Sequence, residues 1–278
     1  MPESVHLAAN VAPLPVFRLV ALFEESTEYD RLWRLPFHSL SLCVRDDPTD
    51  ASWVELPETG ERFTHVPGQV YFTAALTPMR IRYTNANRHL CIHFRYELFP
   101  GVDVFSGLHG RFRLGERGGP LAKKIKAVFA DPDPLRRLAR AEAVALEAAL
   151  PLWPKHPPLD LLRVAPYEEA LRAVRDTVDA QTGVGDLAAR MGLSPSHFPR
   201  VFRSLLGQSP KHWLEQALFD RAHRLLGDPR RSVKEVAYAL EFSTEFNFSR
   251  FIKRRCGVSP ARLRAEFHWD DPSRPVRS

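Results

Sequence analysis

The sequence predicts an α+β protein, an antiparallel sandwich or barrel followed by an all-α domain that uses one helix-turn-helix unit twice. Three observations carry this. Residues 37–113 fall into short runs of β-branched and aromatic residues at close, regular spacing. Pro151, Pro154, Pro157, Pro158 and Pro166 then crowd one stretch, where a helix or central strand would lose too many donors. Beyond them the chain is helical in period and repeats itself.

The expected strands are Ser39–Val44, Arg62–Val66, Gln69–Thr73, Arg80–Thr84 and His89–Glu97, punctuated by Pro67-Gly68, Thr77-Pro78 and Asn85-Ala-Asn87. Helical periodicity begins at Leu121–Ala130 and continues in Leu135–Leu150, with residues 151–166 as linker. A shift of 50 residues places Phe198 on Phe248, Arg200 on Arg250, Arg203 on Lys253, Gly207 on Gly257 and Ser209-Pro210 on Ser259-Pro260. A shift of 49 places Leu187-Ala188 on Val236-Ala237 and Leu193-Ser194 on Phe242-Ser243.

Each unit reads helix by helix. Gly185–Met191 buries Leu187, Ala188 and Met191, and Gly192 closes it. Ser194 is expected to cap the next helix, with Pro195 at its first position. There Phe198, Val201, Phe202 and Leu205 face inward, leaving Ser196, Pro199, Arg200 and Arg203 outside. Ser209-Pro210 starts a third helix with Trp213, Leu214, Leu218, Ala222, Leu225 and Leu226 as its buried stripe. In the second unit Ser232-Val-Lys-Glu235 is a capping box, and Val233, Val236, Ala237 and Leu240 turn inward. Ser243 is expected to cap a helix with Phe248, Phe251 and Ile252 as core and Glu245, Ser249, Arg250 and Lys253 outside.

Composition bounds the function. Of 278 residues, 44% are hydrophobic and 26% charged, which excludes a disordered, collagen-like or coiled-coil chain. No run approaches the ~18 apolar residues of a membrane span, and Glu3 with no basic residue before Arg18 does not read as a secretory signal. Cys43, Cys91 and Cys256 form neither a disulfide framework nor a CxxC pair, so the reducing cytoplasm is expected. The net charge is +6, and from residue 167 onward 19 Lys/Arg stand against 14 Asp/Glu. A basic half on a near-neutral one suggests a polyanion partner.

A short helix, a tight turn and a second helix with a basic outer face suit the DNA major groove. The residues expected at DNA are Ser196, His197, Arg200, Arg203, Lys211, Glu245, Phe246, Ser249, Arg250, Lys253 and Arg254. Guanidinium groups at the matched positions of Arg200 and Arg250 can read guanine in bidentate fashion. Other side chains and capped helix N-termini hold phosphates.

At these residues the sequence resembles the AraC/XylS family of bacterial transcription regulators. The matching text is Asp186-Leu-Ala-Ala-Arg-Met-Gly-Leu-Ser-Pro-Ser-His-Phe198, Arg200-Val-Phe-Arg203 and Gly207-Gln-Ser-Pro210. In the second unit it is Val236-Ala237, Phe242-Ser243, Phe248-Ser-Arg250 and Gly257-Val-Ser-Pro260 through Arg264. The resemblance implies a cupin-like, effector-sensing antiparallel β-barrel over 1–118 and a helical dimerisation segment over 119–150. The Pro-rich linker 151–166, the double helix-turn-helix DNA-binding domain 167–270 and a tail 271–278 follow. It further implies a homodimer on operator DNA, contact with RNA polymerase, and a small-molecule effector such as a sugar. Two departures bear on mechanism. Pro199 lies in the first reading helix, crowding the carbonyl of Pro195. Glu241 stands where the family has Gly, and a left-handed turn there costs about 1 kcal/mol.

His89, Cys91 and His93 alternate along one strand and share a face. With Tyr83 they are the expected effector-binding set, since in arabinose-sensing relatives this strand lines the sugar site. Trp33 and Trp53 are weaker stacking candidates. The same three residues suit zinc, but no carboxylate and later histidine complete a cupin set, so neither metal nor cofactor is expected. Two alternatives stand beside the regulator. One is an enzyme, either a metal cupin or a DNA-repair alkyl transferase, for which the scattered cysteines supply no activated thiol or zinc cluster. The other is a DNA-binding regulator whose N-terminal half only dimerises.

Overall fold

The computed structural model describes residues 16–25, 28–44, 51–84, 87–154 and 161–265. Residues Asn85, Pro157 and Pro158, the end of the expected DNA-binding domain and the tail 271–278 lie outside the described residues. The strands are β1 Val16–Glu25, β2 Tyr29–Arg34, β3 His38–Cys43, β4 Trp53–Leu56, β5 Glu61–Thr64, β6 Val70–Thr73, β7 Pro78–Tyr83, β8 His89–Phe99, β9 Val102–Asp103 and β10 Arg111–Leu114. The five expected strands appear within two residues of their expected bounds. β1, β2, β4, β9 and β10 were not foreseen. β4 and β10 are only four residues long, and β1 (VFRLVALFEE) has no clean alternation to separate strand from helix.

The strands form two antiparallel sheets. One runs β1-β8-β3-β6-β10 with β9 on β8, the other β2-β7-β4-β5. The large sheet has two buried faces. Leu40, Leu42, Val70, Phe72, Leu90, Ile92 and Phe94 share one cluster with Ile125, Val128 and Val144 of helices α1 (Pro120–Ala130) and α2 (Pro134–Ala149). The opposite face meets the small sheet, whose Val54, Phe63, Met79, Ile81 and Tyr83 pack with Tyr71. Asp133 caps α2 by accepting from the Arg136 N–H at 2.8 Å. Asp131 binds the side chains of Arg136 at 2.7 Å and Arg140 at 3.0 Å, which hold its carboxyl down to about 2.

The proline-rich stretch is not wholly extended. It begins with a 3-10 turn at Leu150–Leu152 and ends with α3 (Leu161–Val164) and a 3-10 turn at Ala165–Tyr167. Pro151 and Pro166 sit in the opening positions of these turns, where a missing N–H costs nothing. The helical half continues as α4 Glu168–Thr177, α5 Val184–Arg190, α6 Phe198–Leu206, α7 Pro210–Leu226, α8 Val233–Ala239, α9 Glu245–Cys256 and α10 Pro260–Ala265. Among the described residues no helix is long and apolar enough to cross a membrane.

Candidate nucleic-acid interface

The first unit is α5, a turn, and α6. The Gly183 N–H donates to Asp186 Oδ2 at 2.8 Å, fixing the start of α5, and Gly192 (φ +66°) ends it in the left-handed region. The expected cap at Ser194 is corrected. His197 precedes the regular helix, which starts at Phe198 with Pro199 in its first turn. Phe198 N–H donates to the Ser194 carbonyl at 3.1 Å and Val201 N–H to that of His197 at 3.1 Å. Pro199 has no N–H to give the carbonyl of Pro195, so residues 195–197 form a turn rather than the helix's opening turn.

The second unit keeps that turn. The Ser232 hydroxyl accepts from Glu235 N–H at 3.1 Å while the Glu235 carboxylate accepts from Ser232 N–H at 2.6 Å, closing the capping box of α8. Glu241 adopts φ +55°, the conformation Gly192 supplies in the first unit. The cap of α9 is Thr244, not Ser243. Its hydroxyl accepts from Asn247 N–H at 3.1 Å, and Ser243 Oγ accepts from the Asn247 amide at 2.7 Å. The helix therefore begins at Glu245, the position equivalent to Pro195.

Both reading helices bury one face, Phe198, Phe202, Leu205 and Leu206 in α6 and Phe248, Phe251, Ile252 and Cys256 in α9. On the other side Ser196, His197, Pro199, Arg200 and Arg203 are exposed, as are Glu245, Phe246, Arg250, Lys253 and Arg254, while Ser249 is half-buried. Arg200, Arg203, Arg250 and Lys253 have no ion pair among the described residues, so their charge is available to an external anion. Arg254 differs, lying 3.6 Å from Glu215. Lys211 is exposed in the first turn of α7, whose Ser209 cap accepts from His212 N–H at 3.2 Å, a place suited to a phosphate.

Of the expected effector residues, His89, Cys91 and His93 lie on the face of the large sheet that meets the small one, and Tyr83 is on β7 of the small sheet. Tyr83 and His89 pack with ring centroids 4.4 Å apart, and the His89 ring lies 2.6 Å from Asn87 Oδ1. Cys91 pairs in register with Ser41, and His93 with Ser39. His93 stands apart, against Phe37 at 4.5 Å, which in turn meets His223 of α7 at 5.7 Å. Burial first, then neighbouring positive charge, holds His93 and His223 down to about 3. Of the tryptophans, Trp33 is core and Trp53 lies under Arg62 at 4.2 Å.

Sequence reasoning missed several polar neighbours. His65 lies 4.7 Å from Tyr83 and 5.4 Å from His89, and neither of its buried ring nitrogens has a hydrogen-bond partner among the described residues. Ser41 Oγ and Asn87 Nδ2 are in the same condition. Arg111 donates to Thr73 Oγ1 at 2.9 Å and covers the Tyr71 ring at 4.4 Å. The alternation of Ser39 and Ser41 with Leu40 and Leu42 was the available signal for a polar interior. Among the described residues no group of three or more His, Cys, Asp or Glu is placed to hold a metal ion.

The two halves meet through β8 and α7. Arg95 Nη1 lies 2.5 Å from Asp220 Oδ2, and Arg95 Nη2 donates to the Pro36 carbonyl. Glu97 is bound by Arg18 at 2.5 Å and by Arg175 at 2.9 Å. The turn after β8 reaches furthest: Pro100 accepts from Trp213 Nε1 at 2.9 Å and Gly101 from Gln208 at 3.2 Å. Gly101 has φ +73°, and a Cβ there would stand 2.7 Å from the Trp213 indole nitrogen. A cleft of about 390 Å³ remains at this joint, lined by His38, Arg95, Asp103, Gln208, His212 and Gln216.

Residues 187–266 match the family model described as "Helix-turn-helix domain". The chain is similar to the HTH-type transcriptional regulator Rv1931c of Mycobacterium tuberculosis, with 34% identity over 84 residues, 30% of this chain and 32% of that one. It is also similar to the arabinose operon regulatory protein of Escherichia coli, with 33% identity over 111 residues, 40% of this chain and 37% of that one. The match thus spans about a third of each relative's length. The fold is like that of ToxT from Vibrio cholerae, with a TM-score of 0.56 at 8% identity, covering 91% of this chain and 99% of that one.

Proposed function

We propose, on the premise that residues 187–266 form a helix-turn-helix domain of the AraC/XylS family, that this chain is a sequence-specific DNA-binding regulator of transcription. One observation carries the reading. Two helices related by the internal repeat present unpaired cations at matched positions, Arg200 with Arg250 and Arg203 with Lys253. Such side chains release counterions on meeting phosphate, so affinity falls steeply with salt. The test is titration of duplex DNA with the purified full chain across a salt series. Binding that is absent, or indifferent to salt, refutes the assignment.

The N-terminal sandwich is the effector domain in this reading, with Tyr83, His89, Cys91 and His93 facing an organic ligand. The buried His65 nitrogens and Ser41 hydroxyl support it. Such groups cost about 1–3 kcal/mol each when left unsatisfied, and a hydroxylated ligand would supply partners. Thermal-shift screening against sugars, aromatic acids and metals tests this. Stabilisation by metal alone, lost in His89→Ala and His93→Ala, would overturn it. The helical segment 119–150 serves as the homodimer surface in this scheme, supported by the exposure of Leu135 (79%) and Leu138 (46%) on α2. The protein acts in the cytoplasm and carries no enzymatic chemistry of its own.

A further inference from the structure

We propose that Phe246 is a specificity-determining residue that reads the C5-methyl group of a thymine in the major groove. The inference rests on the DNA-binding reading above. Phe246 is 71% exposed, an unfavourable setting for a phenyl ring unless an apolar surface covers it in function. It sits in the first turn of α9, the part of a reading helix that approaches base edges most closely. Helical spacing places it on one stripe with Ser249, Arg250 and Lys253.

Its neighbours narrow what the ring can meet. Asn247, otherwise a capable base reader, donates its side-chain amide to Ser243 Oγ in the helix cap. Glu245 is anionic and would be repelled by phosphate, so this turn belongs over the bases rather than against the backbone. The thymine methyl is the principal apolar feature of the major-groove edges. In the first unit the matching residue is Ser196, placed in the turn ahead of the shortened helix. At this position the second unit offers an apolar side chain and the first does not.

The experiment selects sites from random duplexes with the full chain, then replaces each thymine of the selected site singly by deoxyuridine, which removes only the methyl. The parent protein is expected to lose about fourfold in affinity at one thymine, the loss of one buried methyl. Phe246→Ala should bind the unmodified site several-fold more weakly and be indifferent to deoxyuridine at that position. Phe246→Leu, still apolar, should keep part of the discrimination. No thymine whose replacement weakens the parent, or a penalty that survives in Phe246→Ala, overturns the proposal while leaving DNA binding intact. Failure of the selection to enrich any sequence overturns the regulator reading itself.

Discussion

Replacing Arg95 by alanine probes how the two halves are held together. Arg95 and Asp220 are 12% and 13% exposed and 2.5 Å apart, and the pair joins β8 to α7. Without Arg95, the Asp220 carboxylate keeps the Gln216 amide at 2.9 Å and the more distant charge of Arg255, and the Pro36 carbonyl loses the Arg95 donor. Breaking a buried pair from one side costs about 3–5 kcal/mol. The Gln216 contact and the residual access of water reduce this to about 2–4 kcal/mol. At roughly 2–4 °C per kcal/mol for a protein of this size, the melting temperature should fall by about 5–15 °C. Burial already raises the Asp220 pKa, and the loss of its cation raises it further. A carboxyl with a raised folded pKa takes up its proton more readily in the folded state, so the defect should shrink as pH falls. Asp220→Asn in the same chain should restore part of the loss at neutral pH. A drop below about 1 kcal/mol, insensitive to Asp220→Asn, would mean the pair behaves like an exposed one and the halves are held by other contacts.

Three further outcomes are expected. Arg250→Ala should cost about 1–3 kcal/mol in DNA binding and relax preference at one base pair. Arg200→Ala, behind the turn imposed by Pro199, should cost less or act equally on all sequences, and binding to single-base variants distinguishes the two. Glu241→Gly should raise stability by about 0.5–1 kcal/mol by relieving the φ of +55°, whereas Gly192→Ala should lower it, both read from urea midpoints. His93 and His223 titrate near 3 in the fold against 6.5 unperturbed, so the unfolded chain binds protons first as pH falls. Stability should therefore decline from about pH 6.5 toward 3, by about 1.4 kcal/mol per pH unit for each histidine. His223→Gln should flatten that slope, and an unchanged slope would place the histidine charged in the fold.

What could be read from the sequence was what local chemistry encodes. The repeat was legible because each unit carries its own caps, closing glycine and apolar period within some 25 residues. The Ser209 and Ser232 caps stand where expected. Two caps were misplaced for identifiable reasons. Ser243 and Thr244 are both competent, and the choice falls on Thr244 because Ser243 is occupied by the Asn247 side chain. Ser194 stands three residues ahead of His197, the cap position of a helix that Pro199 shortens from its start. The joint was not legible at all. Arg95 and Asp220 lie 125 residues apart, as do Trp213 and Pro100 at 113, and no periodicity reports such partners. The polar sandwich interior fell between these cases, with His89, Cys91 and His93 visible by alternation and His65 and Arg111 visible only once the sheets are stacked.

The Trp213 bond to Pro100 limits how freely this DNA-binding half can be exchanged. The indole is fully buried, closed over by the glycine turn that follows β8. Severed at the proline stretch, the helical half would present to water an indole N–H and the Asp220 carboxylate, both now served by the other half. A chimaera that grafts it onto a foreign sensor must supply a carbonyl for that indole, a glycine small enough to sit on it and a cation for Asp220. Recombination between relatives should therefore succeed when the crossover carries the end of β8 along with the helices, rather than at the linker where the chain looks easiest to cut.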